Sequence, residues 1–187
     1  MFDEGCCEDQ TVLLTGWVHF FALPFRSWLV LCVALPVCLP AFAVGYRPTF
    51  AGVVDYVADG DTLHVISAQG GQPVKVRIHG IDAPEICQSG GASSRAALAR
   101  RVKGQQVVVH AKSYDQYGRT IARVTLGGED IGEWMVKQGN AWAYYYRVGS
   151  GPYTAYQRQA QAAHRGVFVS GDPMAPSLFR RQHGSCH

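Results

Sequence analysis

One stretch of this 187-residue chain is almost without charge: between Thr11 and Ala43 the only charged side chain is Arg26. The remainder is therefore more polar than the averages of 48% apolar and 17% charged residues suggest. No Cys/His spacing of a zinc site occurs, and the seven His form no H-E-x-x-H, so neither a zinc finger nor a zinc protease is indicated. Repeats and low-complexity tracts are missing. The 21 Gly and 9 Pro follow no fixed period, which excludes a collagen-like array, and the apolar share is too high for a disordered chain. The length fits one ordinary globular domain.

What the uncharged stretch does contain is ordered. Arg26 precedes the apolar run Trp28 to Pro40 (WLVLCVALPVCLP), which ends in the small-x-small pattern Ala41-Phe42-Ala43. A basic residue, an apolar core and A-x-A make a secretory signal peptide, with cleavage expected after Ala43 and a periplasmic or secreted product. The alternative is an uncleaved membrane anchor. Pro36 and Pro40 interrupt a run already near the lower limit for spanning a bilayer. Asp3, Glu4, Glu8 and Asp9 are wrong for a positive signal-peptide start, so translation is expected to begin at a non-Met codon near Val18 or Leu23.

Beyond residue 43 there remain 144 residues with 16 Lys and Arg against 10 Asp and Glu, a net charge of +6 that suits a polyanionic partner. Only Cys87 and Cys186 of the six cysteines stay in this body. An even pair in an exported protein suggests a disulfide, the alternative being two free thiols. It would close a loop of about 100 residues and stabilise by roughly 4 to 5 kcal/mol in the chain-entropy picture.

Strand signals dominate the first half of the body. Phe50 to Val57 and Thr62 to Ser67 are β-branched runs around the tight-turn sequence Ala58-Asp59-Gly60-Asp61. Val74 to Ile81 alternates apolar Val74, Val76 and Ile78 with Lys75, Arg77 and His79, burying one face. Ala92 to Val102 predicts a helix stopped by Gly104. Gln105 to Ala111 and Thr120 to Leu126 predict two further strands. Helices are then expected over Ile131 to Gln138 and Tyr153 to His164, with an extended aromatic segment from Ala141 to Tyr146. The tail from Gly171, with Pro173 and Pro176, is expected to wrap the surface. Five short strands with a helix after the third fit a β-rich α+β fold, a five-stranded OB-type Greek-key barrel carrying about three helices. The expected organisation is an export segment at 1–43, a domain at 44–170 and a tail at 171–187.

Four segments gather acids, arginines and tyrosines. Asp59-Gly60-Asp61 reads as a hairpin turn; an EF-hand loop starting at Asp55 would need an acid at its twelfth position, which is Ile66. Asp61 is the acid that the turn does not require. In Val76 to Glu85 (VRIHGIDAPE), Arg77 lies on the polar parity of its strand, with Asp82 and Glu85 following around Gly80 and Pro84. Tyr117-Gly118-Arg119 sits in a turn. In extended Tyr144-Tyr145-Tyr146 the first and third side chains share one side and form a stacking wall. Each segment alone has a plain structural explanation as a turn, a strand end or core packing. Together, two arginines, three carboxylates and an aromatic wall are the parts for cutting a phosphodiester: guanidinium groups and a hard cation bind charge growing on phosphorus oxygens, and a carboxylate handles the water.

In order and spacing, DGDT at Asp59 to Thr62, VRIHGIDAPE at Val76 to Glu85, DQYGR at Asp115 to Arg119 and GNAWAYYY ending at Tyr146 resemble the thermonuclease, or staphylococcal nuclease, family, from about Val53 to Arg165. The resemblance implies Ca²⁺ held by Asp61, Asp82 and the backbone carbonyl of Ala83, Glu85 as general base, Arg77 and Arg119 on the scissile phosphate, and Tyr117, Tyr144 and Tyr146 lining a nucleotide pocket. Two positions depart from the family's best-known member: Ala83 replaces a threonine, leaving only a carbonyl ligand, and Gln116 replaces a lysine near the terminal phosphate. Ca²⁺ takes six to eight oxygens, so waters and substrate must complete its shell. The implied activity is hydrolysis of DNA and RNA with little sequence specificity, leaving 3′-phosphate ends. Single strands are favoured because stacking needs splayed bases. A monomer without a stable protein partner is expected. The competing reading is a non-catalytic OB-fold module that grips single-stranded nucleic acid.

Overall fold

Alternation along the strands builds the core. In the computed structural model, which describes residues 48–144, 151–171 and 173–186, strand β2 (Thr62–Ser67) buries Leu63 and Val65 and exposes Ile66. β5 (Gln106–Tyr114) buries Val107, Val109 and Ala111 and leaves Val108 outside. With β1 (Thr49–Val57), β3 (Val74–Ile78) and β6 (Thr120–Leu126), these strands run in the order β3-β2-β1-β5-β6, and a parallel pairing of β3 with β6 closes the sheet into a barrel. Closure removes the exposed edges. This is the five-stranded OB-type α+β architecture expected from the strand and helix signals. The export segment with its start and cleavage points, and Tyr146, lie outside the described residues. Among the described residues no helix is long and apolar enough to cross a membrane.

The third strand is shorter than the expected Val74 to Ile81. Gly80, at φ 83°, turns the chain out of the barrel ladder into a two-residue strand β4 (Ile81–Asp82), because a left-handed backbone is cheap only without a Cβ. Of the extended segment expected from Ala141 to Tyr146, the described residues pair over β8 (Trp142–Ala143), with Asp82 opposite Trp142, and the Tyr144 amide donates to Gly80 O at 2.8 Å. A short β7 (Glu129–Asp130) folds back antiparallel against the end of β6.

Helix α1 (Gly91–Val102) follows β4 and buries Ala97, Leu98 and Val102. Helix α2 (Ile131–Lys137) starts at Asp130, whose carboxylate accepts from the Glu133 amide at 3.2 Å and caps the first turn. It seats Ile131, Met135 and Val136 in the same core as the barrel residues. Helix α3 (Thr154–Ala162) is followed by a 3-10 turn over Gly166–Ser170. The described part of the tail lies mostly exposed on the surface, as expected, but it is not a plain strap. It forms a fourth helix, α4 (Pro176–His183), with Pro176 in the first turn, where a missing N–H costs nothing. Cys87 and Cys186 are joined in a disulfide with Cα atoms 6.0 Å apart, tying the end of the chain to the loop before α1.

Candidate active site

The β1–β2 turn divides its two acids. Ala58 N donates to Thr62 O at 2.9 Å to close the turn, and Asp59 Oδ1 accepts from the Asp61 amide at 2.9 Å. Asp59 thus serves the turn, while Asp61 is directed inward and is 5% exposed. Its Oδ1 accepts from Thr62 Oγ1 at 3.0 Å and its Oδ2 from the Ala83 amide at 2.9 Å. Burial pushes the Asp61 carboxyl up to about 7, against the opposing pull of Arg77 and the Ala83 N–H. Gly60 makes this approach possible: a Cβ there would stand 2.0 Å from Ser94 Oγ and 2.6 Å from Ala83 Cβ.

Arg77 leaves β3 on its polar parity and spans the two acids. Its Nη1 stands 2.5 Å from Asp61 Oδ2 and donates to Ile81 O at 3.1 Å, and its Nη2 donates to Asp82 Oδ1 at 3.2 Å. One planar guanidinium therefore brings Asp61 and Asp82 to a common point. Asp82 is buried where the Gly80 turn and the β4–β8 pair set it opposite Trp142. Glu85, beyond Pro84, is held from its own loop, its amide donating to Gln88 Oε1 at 3.2 Å.

Arg119 immediately precedes β6, whose Ile121 is the register partner of Arg77. Asp115 holds Arg119, accepting from its Nε at 2.6 Å and from the amides of Tyr117 and Arg119, each at 2.9 Å. Burial raises the Asp115 pKa, but these three donors and the Arg119 charge outweigh it and hold it below the ordinary carboxylate value. The Arg119 guanidinium lies 5.4 Å from the Tyr117 ring centroid, and Tyr117 is 72% exposed. Tyr144, partly exposed, lines a cavity of about 410 Å³ together with Asp82, Trp142, Gln157 and Pro176. Asp61, Arg77 and Asp82 thus meet directly, Glu85 adjoins them, Tyr144 shares the cavity beside Asp82, and Arg119 with Tyr117 forms a separate pair held by Asp115. Tyr146 is not among the described residues.

Sequence reasoning passed over four participants: Thr62 and Asp115, which orient Asp61 and Arg119; Gln88, whose Nε2 donates to Met174 O at 2.7 Å; and Arg180 of α4. Arg180 Nη2 donates to Asp82 Oδ2 at 2.9 Å, and its Nη1 donates to Asp82 Oδ1 at 3.1 Å and to Glu85 Oε1 at 3.0 Å. Partial burial works against its charge, but these carboxylates more than compensate and hold its pKa above the ordinary arginine value. The only sequence signal for Arg180 is its place in a basic Arg180-Arg181 pair.

No group of three or more His, Cys, Asp or Glu arranged to hold a metal occurs among the described residues. The candidate donors are all oxygens: two buried carboxylates on one point, beside Ala83. That chemistry fits a hard divalent cation with part of its shell left to other ligands.

A family model described as Staphylococcal nuclease homologue matches residues 75–169. The chain is 39% identical over 126 residues to an uncharacterized endonuclease of Haemophilus influenzae, covering 67% of this chain and 70% of that protein. It is 34% identical over 160 residues to a micrococcal nuclease of Shigella flexneri, covering 80% and 88%. To a probable staphylococcal-like nuclease of rice it is 35% identical over 107 residues, covering 57% of this chain but only 29% of the longer relative. With this barrel, this cluster and these relatives, the chain belongs to the staphylococcal nuclease family and is a phosphodiester hydrolase.

Proposed function

We propose that this nuclease is an exported, Ca²⁺-dependent endonuclease that hydrolyses DNA and RNA with low sequence specificity and leaves 3′-phosphate ends. The observation that carries the reading is the meeting of Asp61, Arg77 and Asp82 at one buried point, with Glu85 alongside and a cavity opening beside Asp82. Asp61, Asp82 and the Ala83 carbonyl would hold the cation, which when bound supplies positive charge against the phosphate oxygens. The type of product end rests on the family likeness, and export to the periplasm or medium rests on the Arg26 to Ala43 pattern.

The chain's own groups supply the rest. Arg77 and Arg119 offer planar forks to the nonbridging oxygens, where charge grows as water attacks phosphorus. Glu85 orients that water and takes its proton as the new P–O bond forms and the bond to the 5′ oxygen breaks. Tyr144 and the exposed Tyr117 offer faces to unpaired bases, which favours single strands.

Incubation of the purified protein with DNA and with RNA, with and without a Ca²⁺ chelator, tests this. Chelator-sensitive internal cleavage of both is expected; cleavage indifferent to chelator would sink the cation assignment. Glu85→Gln should lower kcat by at least about 10²-fold, within the usual range for a positioned acid or base, while leaving oligonucleotide binding within a few-fold. Loss of binding as well would make Glu85 a structural group.

A further inference from the structure

The C-terminal segment meets the candidate site at several points. The disulfide anchors Cys186, Gln88 Nε2 holds the Met174 carbonyl at 2.7 Å, and between these anchors α4 lays Arg180 across Asp82 and Glu85. Cys186 N also donates to Glu85 Oε2 at 3.4 Å. Both oxygens of Glu85 are therefore turned to the tail.

An ionised carboxylate has about four acceptor positions. Three of those on Asp82 are in use: Oδ1 accepts from Arg77 and from Arg180, and Oδ2 accepts from Arg180. Two of the three belong to Arg180. Asp61 is engaged to a similar degree by Thr62, Ala83 and Arg77. A cation and the Arg180 fork thus seek the same oxygens of Asp82, and their charges repel at that range.

We infer that Arg180 is a further residue of the active site: it occupies Asp82 and Glu85 until a divalent cation displaces it, and the Cys87–Cys186 disulfide keeps it at hand. The inference rests on the cation assignment made above and adds a competitor within the chain. When only the Arg180-free fraction binds cation, apparent affinity falls by that fraction. The disulfide enters through proximity: cutting it lengthens the tether and lowers the effective concentration of Arg180 at the site. On release, the guanidinium stays beside a bound phosphodiester and can donate to it, so cation and substrate binding should assist one another.

Calorimetric titration of Ca²⁺ into the full-length protein without nucleic acid, into Arg180→Gln, and into the double variant Cys87→Ser with Cys186→Ser is the test. Arg180→Gln should bind Ca²⁺ about 10-fold more tightly than wild type, and the cysteine variant, which retains Arg180, should shift in the same direction by a smaller factor. Arg180→Lys, keeping charge but losing the fork, should fall between wild type and Arg180→Gln. Equal or weaker binding by Arg180→Gln would overturn the inference and leave the cation assignment standing. No bound Ca²⁺ in any of the proteins would overturn both.

Discussion

At the scale of single residues, the site is organised by pairing each reactive group with a neighbour that sets its direction. Asp59 takes the turn hydrogen bond so that Asp61 can face inward, and Asp115 grips Arg119 through both carboxylate oxygens. Arg77 contacts Asp61, Asp82 and the Ile81 carbonyl at once, so its replacement removes a phosphate ligand and leaves buried carboxylates facing each other. Arg77→Ala should lower kcat/KM by at least about 10²-fold, as for loss of one preorganised donor. Asp115→Asn should act in the same direction but less, since Arg119 remains and only its orientation is loosened; steady-state kinetics on one oligonucleotide compares the two. His79, half-buried at the end of β3, supplies a pH signature. Burial first, and then repulsion from Lys112, lower its pKa below the ordinary 6.5, with Asp130 opposing. The folded chain therefore binds this proton more weakly than the unfolded chain, and the His79 contribution to stability rises with pH through the interval just below 6.5. Asp61, raised to about 7, contributes the opposite slope over the same interval. The His79 share is therefore read as the difference between wild type and His79→Gln in urea unfolding at several pH values: wild type should gain stability relative to the variant as pH rises through that interval.

At the scale of elements, close contacts between turns and helices hold the site. The β1–β2 turn reaches α1 and the Ala83 backbone only because residue 60 has no side chain. Gly60→Ala forces Ser94 or Ala83 to move and should cost about 1 to 3 kcal/mol, the usual range for overpacking, measurable by denaturant titration. Because Ala83 N binds Asp61, activity should fall by more than stability explains. The strands were legible from sequence because a half-buried strand must alternate: Val76 and Ile78 turn inward and Arg77 outward, as the period predicts. The β4–β8 pair was not. It joins Ile81 and Asp82 to residues some sixty positions away through two residues on each side, too short to leave a period. Helix α4 was equally hidden. Its sequence, PSLFRRQH, buries only Pro176 and carries no apolar stripe, and so short a helix is marginal alone. The Arg180 contacts with Asp82 and Glu85 and the nearby disulfide hold it instead.

At the scale of the whole molecule, the disulfide spans a sequence separation of 99 residues, so it restricts most of the unfolded body. Cys87→Ser should lower the melting temperature under oxidising conditions and change it little in reductant, where the wild type has already lost the bond; scanning calorimetry in both buffers decides this. The sequence by itself determined the barrel, through alternation and turn glycines, and the family, through four motifs whose spacing survives in the folded chain. It also named most of the groups gathered around Asp82, because a phosphodiester demands guanidinium and carboxylate side chains wherever they come from. Only the tertiary structure decided that Arg180 faces the same carboxylates, and that Thr62, Asp115 and Gln88 orient their neighbours. The Arg180 contacts join residues up to 98 positions apart and arise from ion pairing and loop closure rather than from any local preference of the chain, while those of Thr62 and Asp115 are short-range turn contacts that carry no hydrophobic period.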